Sequence, residues 1–358
     1  MCLYRINLKP YKPDKPLSMN DTLYKIAITH GDLNGICYEV ILKALGDNKI
    51  TELCSPIVYG LAKVASFYKN RLGMQEPAIQ VVKDIEQINL KKSNLLNLVE
   101  QEVQINPGKS EATAGKMSEL ALQAVCRDLK SGKVDAVVTA PINKDNIQSA
   151  TFRYHGHTEF FAQQFSAPEA MMMMVADGCR IGFVTNHLPI AEVAKAINKE
   201  LILKKIRTLH SSLRQDFGCS TPKIAVLSLN PHAGDNGLIG NEEKEVIIPA
   251  INQAFNEKIN VFGPFPADGL FGSENYAKYD AVLAMYHDQG MEPFKILSRG
   301  EGVNFTAGLP IVRTSPAHGT AYDIAGQNKA DGQSMRNAIY LAIDILRNRK
   351  NFADNAKK

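Results

Sequence analysis

Ala281-Val282-Leu283-Ala284-Met285-Tyr286-His287-Asp288-Gln289-Gly290 is an apolar run of strand length that stops on a histidine among turn-forming residues. Two other stretches read the same way. One is Gly182-Phe183-Val184-Thr185-Asn186-His187-Leu188-Pro189, and the other is Ile224 to Leu229 leading into Asn230-Pro231-His232-Ala233-Gly234. In each, the histidine sits where a strand stops and a loop begins. That edge of an open α/β sheet, outside the carboxyl ends of the strands, is where ligands bind. A lone histidine there is more often a polar loop residue. Three in the same setting favour a divalent-metal site, with His187, His232 and His287 as the imidazole ligands and room left for a substrate.

Outward from these runs, from Lys25 onward, strand-like segments alternate with helical ones, the pattern of an α/β fold with a largely parallel sheet covered by helices. Further strands are expected at 24–29, 56–59, 78–82, 134–139 and 308–312. Helices are expected at 39–45, 61–71, 112–131, 158–166, 190–213, 242–256 and 333–349. No internal repeat interrupts the alternation.

The bulk composition narrows the class of protein. At 358 residues the chain is long enough for two domains of ordinary size. Hydrophobic residues at 45% and charged residues at 22% are the proportions of a globular protein in water. The net charge of +4 is modest and the basic residues are scattered, so a nucleic-acid surface has no compositional support. No apolar stretch approaches the roughly 20 residues that span a bilayer, and even Met171 to Val175 is short. The six cysteines are far apart with no Cys-x-x-Cys pair, which argues against both a thiolate metal site and a disulfide framework. With no secretory leader in evidence, the expected compartment is the cytoplasm. Residues 1–20, with Lys9-Pro10-Tyr11-Lys12-Pro13, read as an extended tail, and Met19 is a second candidate start.

Several segments carry side chains suited to binding small anions. His157 and Thr158, just ahead of a helix, could hold a phosphate or carboxylate, although Thr158 could equally be a helix cap. Lys295, Asn304 and Arg313 follow His287 at loop-like positions between apolar runs. Fixed donors of this kind suit a phosphorylated, carboxylated substrate, and Arg adds a bidentate fork. Asp268 and Asp288 are the carboxylates nearest the histidine loops, and either could be a general base or the orienter of a metal-bound histidine. The turn Gly31-Asp32-Leu33-Asn34-Gly35 matches no dinucleotide fingerprint or Walker loop, and reads as a weak anion cradle or an ordinary tight turn. Arg313 to Gly326 is polar and glycine-punctuated, as a nucleotide-wrapping loop or a surface connection would be.

Taken in order, Gly156-His157-Thr158-Glu159-Phe160, Asn230-Pro231-His232-Ala233-Gly234, Pro266-Ala267-Asp268, Met285-Tyr286-His287-Asp288-Gln289-Gly290 and Arg313-Thr314-Ser315 resemble the 4-hydroxythreonine-4-phosphate dehydrogenases of vitamin B6 biosynthesis. The resemblance runs from about Lys25 to the end. It implies two α/β/α domains of the isocitrate and isopropylmalate dehydrogenase kind: a first domain from 21–145 plus 296–358 and a second from 146–295, with the site in the cleft between them. It also implies a homodimer whose metal histidines, His187, His232 and His287, are shared across the interface. Substrate contacts fall on His157, Thr158, Lys295, Asn304 and Arg313. The segment His318, Gly319, Asp323, Gly326 is similar to the loop by which isopropylmalate dehydrogenases hold NAD, which makes NAD or NADP the implied cofactor. The implied reaction is oxidation of a phosphorylated secondary alcohol followed by loss of CO2, giving 3-amino-2-oxopropyl phosphate from 4-phosphohydroxy-L-threonine. Three imidazoles suit zinc or cobalt better than magnesium. The rival readings are a D-erythronate or D-threonate 4-phosphate dehydrogenase, a dihydrodiol dehydrogenase, and a metal-binding protein without turnover. The sequence departs from the family at the first turn, at Asn186, at Gly269 and at Ala317.

Overall fold

The structure is a computed structural model that describes residues 23–47 and 49–357, so the expected tail lies outside the described residues. Its framework is one sheet of twelve strands. In chain order these are β1 Tyr24–Thr29, β2 Cys54–Gly60, β3 Ile79–Val82, β4 Ser93–Asn97, β5 Ala136–Thr139, β6 Met171–Ala176, β7 Cys179–Phe183, β8 Lys223–Leu227, β9 Asn260–Phe265, β10 Ala281–Ala284, β11 Val303–Ala307 and β12 Val312–Pro316. In space they run β3-β4-β2-β1-β5-β12-β11-β6-β7-β10-β8-β9.

The pairing divides the sheet into two parallel blocks. From β3 to β12 every pair is parallel, and so is every pair from β7 to β9. Between the blocks, β11 pairs antiparallel with both β12 and β6, and β6 pairs antiparallel with β7. Strands β2, β5, β10 and β12 are buried along their whole length, which is what helices on both faces require. The three histidine-tipped runs become β7, β10 and β8, and these are neighbours in the parallel block.

Several elements differ from the expected ones. The single helix over 190–213 is two, Ile190–Ala196 and Lys199–Gln215, because the Asn198 side chain accepts a hydrogen bond from Leu201 N (2.8 Å) and starts a new helix there. Residues 242–256 form a π-helical turn, Glu243–Ile247, before the α-helix Ile248–Asn256. The last strand is not at 308–312. Gly308 turns with φ +78° and Pro310 offers no N–H, so pairing begins at Val312. Lys295, Asn304 and Arg313 are not in loops: Lys295 lies in the helix His287–Ser298, Asn304 in β11 and Arg313 in β12. Polar residues inside a strand break its apolar pattern and read as loop, although here they face a polar pocket.

Candidate active site

The antiparallel joint of the sheet supplies the floor of the site. Asn304 pairs with Ser315 on one side and with Met174 on the other, and Thr306 pairs with Met172. Residues two apart in a strand share a face, so Arg313 and Ser315 of β12, Asn304 and Thr306 of β11, and Met172 and Met174 of β6 lie side by side. Thr139 closes the row from the end of β5. All of these except Thr306 line a cavity of about 360 Å³. Its other walls include Lys144, His157, Thr158, Glu159, His187, His287, Met291, His318 and Gly319. Loops from both parallel blocks therefore converge over the joint.

Arg313 is the electrostatic centre. It is 2% exposed, and its guanidinium donates to Thr139 Oγ1 from Nε (3.1 Å) and Nη2 (2.7 Å), to Thr306 Oγ1 from Nη1 (3.1 Å) and to Ser315 Oγ from Nη2 (3.0 Å). No carboxylate among the described residues hydrogen-bonds it. Burial pulls its pKa down to about 9, which leaves it cationic at neutral pH. A buried ion costs several kcal/mol even after relaxation; the Glu159 carboxylate in the same wall offsets part of that cost through space without a hydrogen bond, and an anionic ligand would offset more. Burial, reinforced by Arg313 and Lys144, holds His157 well below the usual histidine range, so its imidazole is neutral. His157 Nε2, Asn304 Oδ1 and His318 Nε2 are buried without partners, and burial also lowers Lys295, whose Nζ donates to the Ala317 carbonyl. Unpaired buried polar atoms are rare in folded proteins, and their gathering at one cavity marks a binding site.

The expected metal histidines divide. His187 and His287 face each other across the cavity, with ring centroids 6.1 Å apart. His287 Nδ1 is 2.6 Å from Asp288 Oδ1, a carboxylate–histidine pairing that orients the ring and leaves Nε2 free. His187 lies 3.5 Å through Nδ1 from Glu159 Oε1 and 3.4 Å through Nε2 from Lys144 Nζ. His232 does not join them. Among the described residues of one chain, no three His, Cys, Asp or Glu side chains gather as a metal site. The reason is local: residues 232–236 run left-handed, with φ of 53°, 53°, 75°, 42° and 56°, and His232 is exposed on that turn. Glu243 anchors it by accepting from Leu229 N and Asn230 N (both 2.8 Å) and from Asn230 Nδ2 (2.9 Å). Asp268 is exposed in the short helix Ala267–Gly272 and is not in the cavity wall. Of the three expected metal histidines, the structure brings His187 and His287 together and leaves His232 apart.

Of the expected cofactor residues, His318 and Gly319 line the cavity, whereas Asp323 and Gly326 lie further along the same loop and outside its wall. The first turn holds this loop rather than cradling an anion. Ile36 N donates to Thr320 O (2.9 Å), and Tyr322 OH donates to the buried Asp32 Oδ2 (2.8 Å). A side chain at Gly35 would meet the Thr320 carbonyl at 2.6 Å, so glycine there permits close approach of the two loops. Sequence reasoning missed Thr139 and Thr306 as site residues, and quoted Glu159 and Ser315 only within longer motifs.

Fold and site together define an α/β enzyme with a preformed anion pocket at the antiparallel joint of its sheet. The model of the pyridoxal phosphate biosynthetic protein PdxA family matches residues 52–342, and the chain belongs to that family. A 4-hydroxythreonine-4-phosphate dehydrogenase from Bacteroides thetaiotaomicron is 46% identical over 333 residues, covering 93% of this chain and 91% of the relative. A protein from Oceanobacillus iheyensis, named as a candidate D-threonate 4-phosphate dehydrogenase, is 39% identical over 323 residues, covering 89% and 97%. Among solved structures, a 4-hydroxythreonine-4-phosphate dehydrogenase from Klebsiella pneumoniae superimposes with a TM-score of 0.79 at 33% identity, covering 91% of this chain and 99% of its own. No helix among the described residues is long and apolar enough to cross a membrane.

Proposed function

We propose that the protein oxidises the secondary alcohol of 4-phosphohydroxy-L-threonine with NAD or NADP as acceptor, and releases CO2 to leave 3-amino-2-oxopropyl phosphate. The observation that carries this reading is Arg313, a buried cation held by three hydroxyls and no carboxylate. It is a receptor for an anionic group of the substrate. His157 and Thr158, from the start of the helix His157–Gln164, and Asn304, from β11, hold the rest of the phosphorylated acid, with Lys295 adding charge from the next wall. As a neutral imidazole, His157 can both donate and accept a hydrogen bond. Met172, Met174 and Met291 supply the apolar part of the wall and keep water from the reacting carbon.

His187 and His287, with His232 of the partner subunit, would hold a divalent cation, zinc or cobalt by preference for nitrogen ligands. When bound, that cation supplies positive charge beside the alcohol oxygen as it loses its proton, a contribution of several kcal/mol. Asp288 orients His287. The His318 loop, held by Asp32 through Tyr322, would hold the dinucleotide, whose nicotinamide would supply the hydride acceptor. The resulting ketone lies β to the carboxylate, so the carbon–carbon bond to CO2 breaks with its electron pair delocalised onto the ketone. The exposed His232 turn supports a homodimer with shared sites. The two parallel blocks of the sheet support a division into lobes at 21–145 with 296–358 and at 146–295.

The relative from Oceanobacillus iheyensis favours a second reading, oxidation of D-threonate 4-phosphate, beside which D-erythronate 4-phosphate is the other sugar acid to test. Formation of NADH with 4-phosphohydroxy-L-threonine and with the two sugar-acid phosphates, side by side, separates them. The proposal expects kcat/KM at least about ten-fold higher for the amino acid, a difference of about 1.4 kcal/mol. A preference for a sugar acid overturns it.

A further inference from the structure

We propose that Thr306 is a positioning residue for substrate binding: from behind the pocket it sets the attitude of the Arg313 guanidinium. This rests on the reading above in one respect, that Arg313 meets an anionic group of the ligand.

A guanidinium carries five N–H donors in a fixed plane. Arg313 commits Nε to Thr139, Nη2 to Thr139 and Ser315, and Nη1 to Thr306. One N–H, on Nη1, is left without a protein partner among the described residues. Because the group is planar, the hydrogen of Nη1 that Thr306 grips fixes the direction of the other. Thr139 and Ser315 line the cavity and can touch a ligand themselves. Thr306 is fully buried and does not line it, and its hydroxyl reaches the lining through its hydrogen bond with Arg313 Nη1.

The residue type suits the task. A hydroxyl supplies a lone pair without charge, so it orients the cation yet leaves its charge for the ligand, whereas a carboxylate in the same place would compete with a substrate anion. Threonine is β-branched and stiff at χ1. Strand β11 is paired on both sides, with Thr306 in register with Met172, so the oxygen sits on a rigid element.

Thr306→Val keeps the shape and removes the hydroxyl, and Thr306→Ser keeps the hydroxyl. Thr306→Val is expected to raise KM for 4-phosphohydroxy-L-threonine about ten-fold, the size of one hydrogen bond to a charged group, while KM for NAD stays within about two-fold of wild type. Thr306→Ser is expected to restore most of the loss. Calorimetric titration with inorganic phosphate, which needs no turnover, should show the same order of affinity: wild type, then Thr306→Ser, then Thr306→Val. If the wild type oxidises none of the phosphorylated acids but the phosphate series holds, the functional reading fails and the role of Thr306 stands. The inference is overturned if Thr306→Val binds phosphate and substrate as wild type does, if the wild type binds no phosphate, if KM for NAD rises in step, or if serine gives no rescue.

Discussion

At the scale of single residues, Arg313 determines what the pocket can accept. Its fork is built into the sheet from both neighbouring strands, β5 and β11, so its position is set before any ligand arrives. Lysine would place a point charge on a flexible stem and could not use the three hydroxyls in the same way. Arg313→Lys is therefore expected to lower kcat/KM for the phosphorylated substrate about 100-fold, or ~3 kcal/mol, as measured by steady-state NADH formation. A loss under about three-fold would show that charge alone suffices. The structure lines one cavity with His157, Thr158, Asn304, Arg313, His187, His287, His318 and Gly319, all named from the sequence: the histidines stand out at breaks in an apolar pattern, whereas Gly319 was named only through the family resemblance. Thr139 and Thr306 were not named, because hydroxyls within a strand are ordinary strand formers whose use depends on what lies across the sheet.

At the scale of elements, the turn that presents His232 shows how local sequence is turned to display. Four of the five left-handed residues here are not glycine, each costing roughly 1–2 kcal/mol, and such a run persists only where its surroundings fix it. Glu243, buried at the start of a π-helical turn, does this through three hydrogen bonds to Leu229 and Asn230. Glu243→Gln is expected to speed amide hydrogen exchange at Leu229 and Asn230 by about ten-fold, for a loss of about 1.5 kcal/mol, with the amides inside β8 unchanged. Unchanged protection at both would remove Glu243 as the anchor. The strands foreseen here, β7, β8 and β10, are continuous apolar runs. Most of those missed are of another kind: β4 begins and ends on polar residues, β9 contains Gly263 and Pro264, and β11 carries Asn304 and Thr306 on its pocket face, whereas β6 is a continuous apolar run read only as too short to span a bilayer. Gly290 and Pro293 likewise hid the helix His287–Ser298, where Gly290 packs so closely on Phe183 that a Cβ would meet the ring at 2.7 Å.

At the scale of the whole molecule, one chain brings the buried Arg313, two imidazoles and the His318 loop to one cavity, while His232 stands on an exposed turn. The sheet order makes the pocket legible only in part, since strand alternation predicts the parallel blocks but not the antiparallel joint that forms the floor. A second subunit would complete the site if its His232 turn reached the cavity, and two-fold symmetry would then build two such sites at once. Mixing subunits tests this directly. His187→Ala and His232→Ala homodimers are each expected to be inactive and depleted of metal. Unfolded together and refolded as an equal mixture, they should regain about one quarter of wild-type NADH formation with 4-phosphohydroxy-L-threonine, because half of the dimers are mixed and each of those has one intact site. Recovery near that level supports a pocket shared between subunits, and an inactive mixture of properly folded dimers would contradict it.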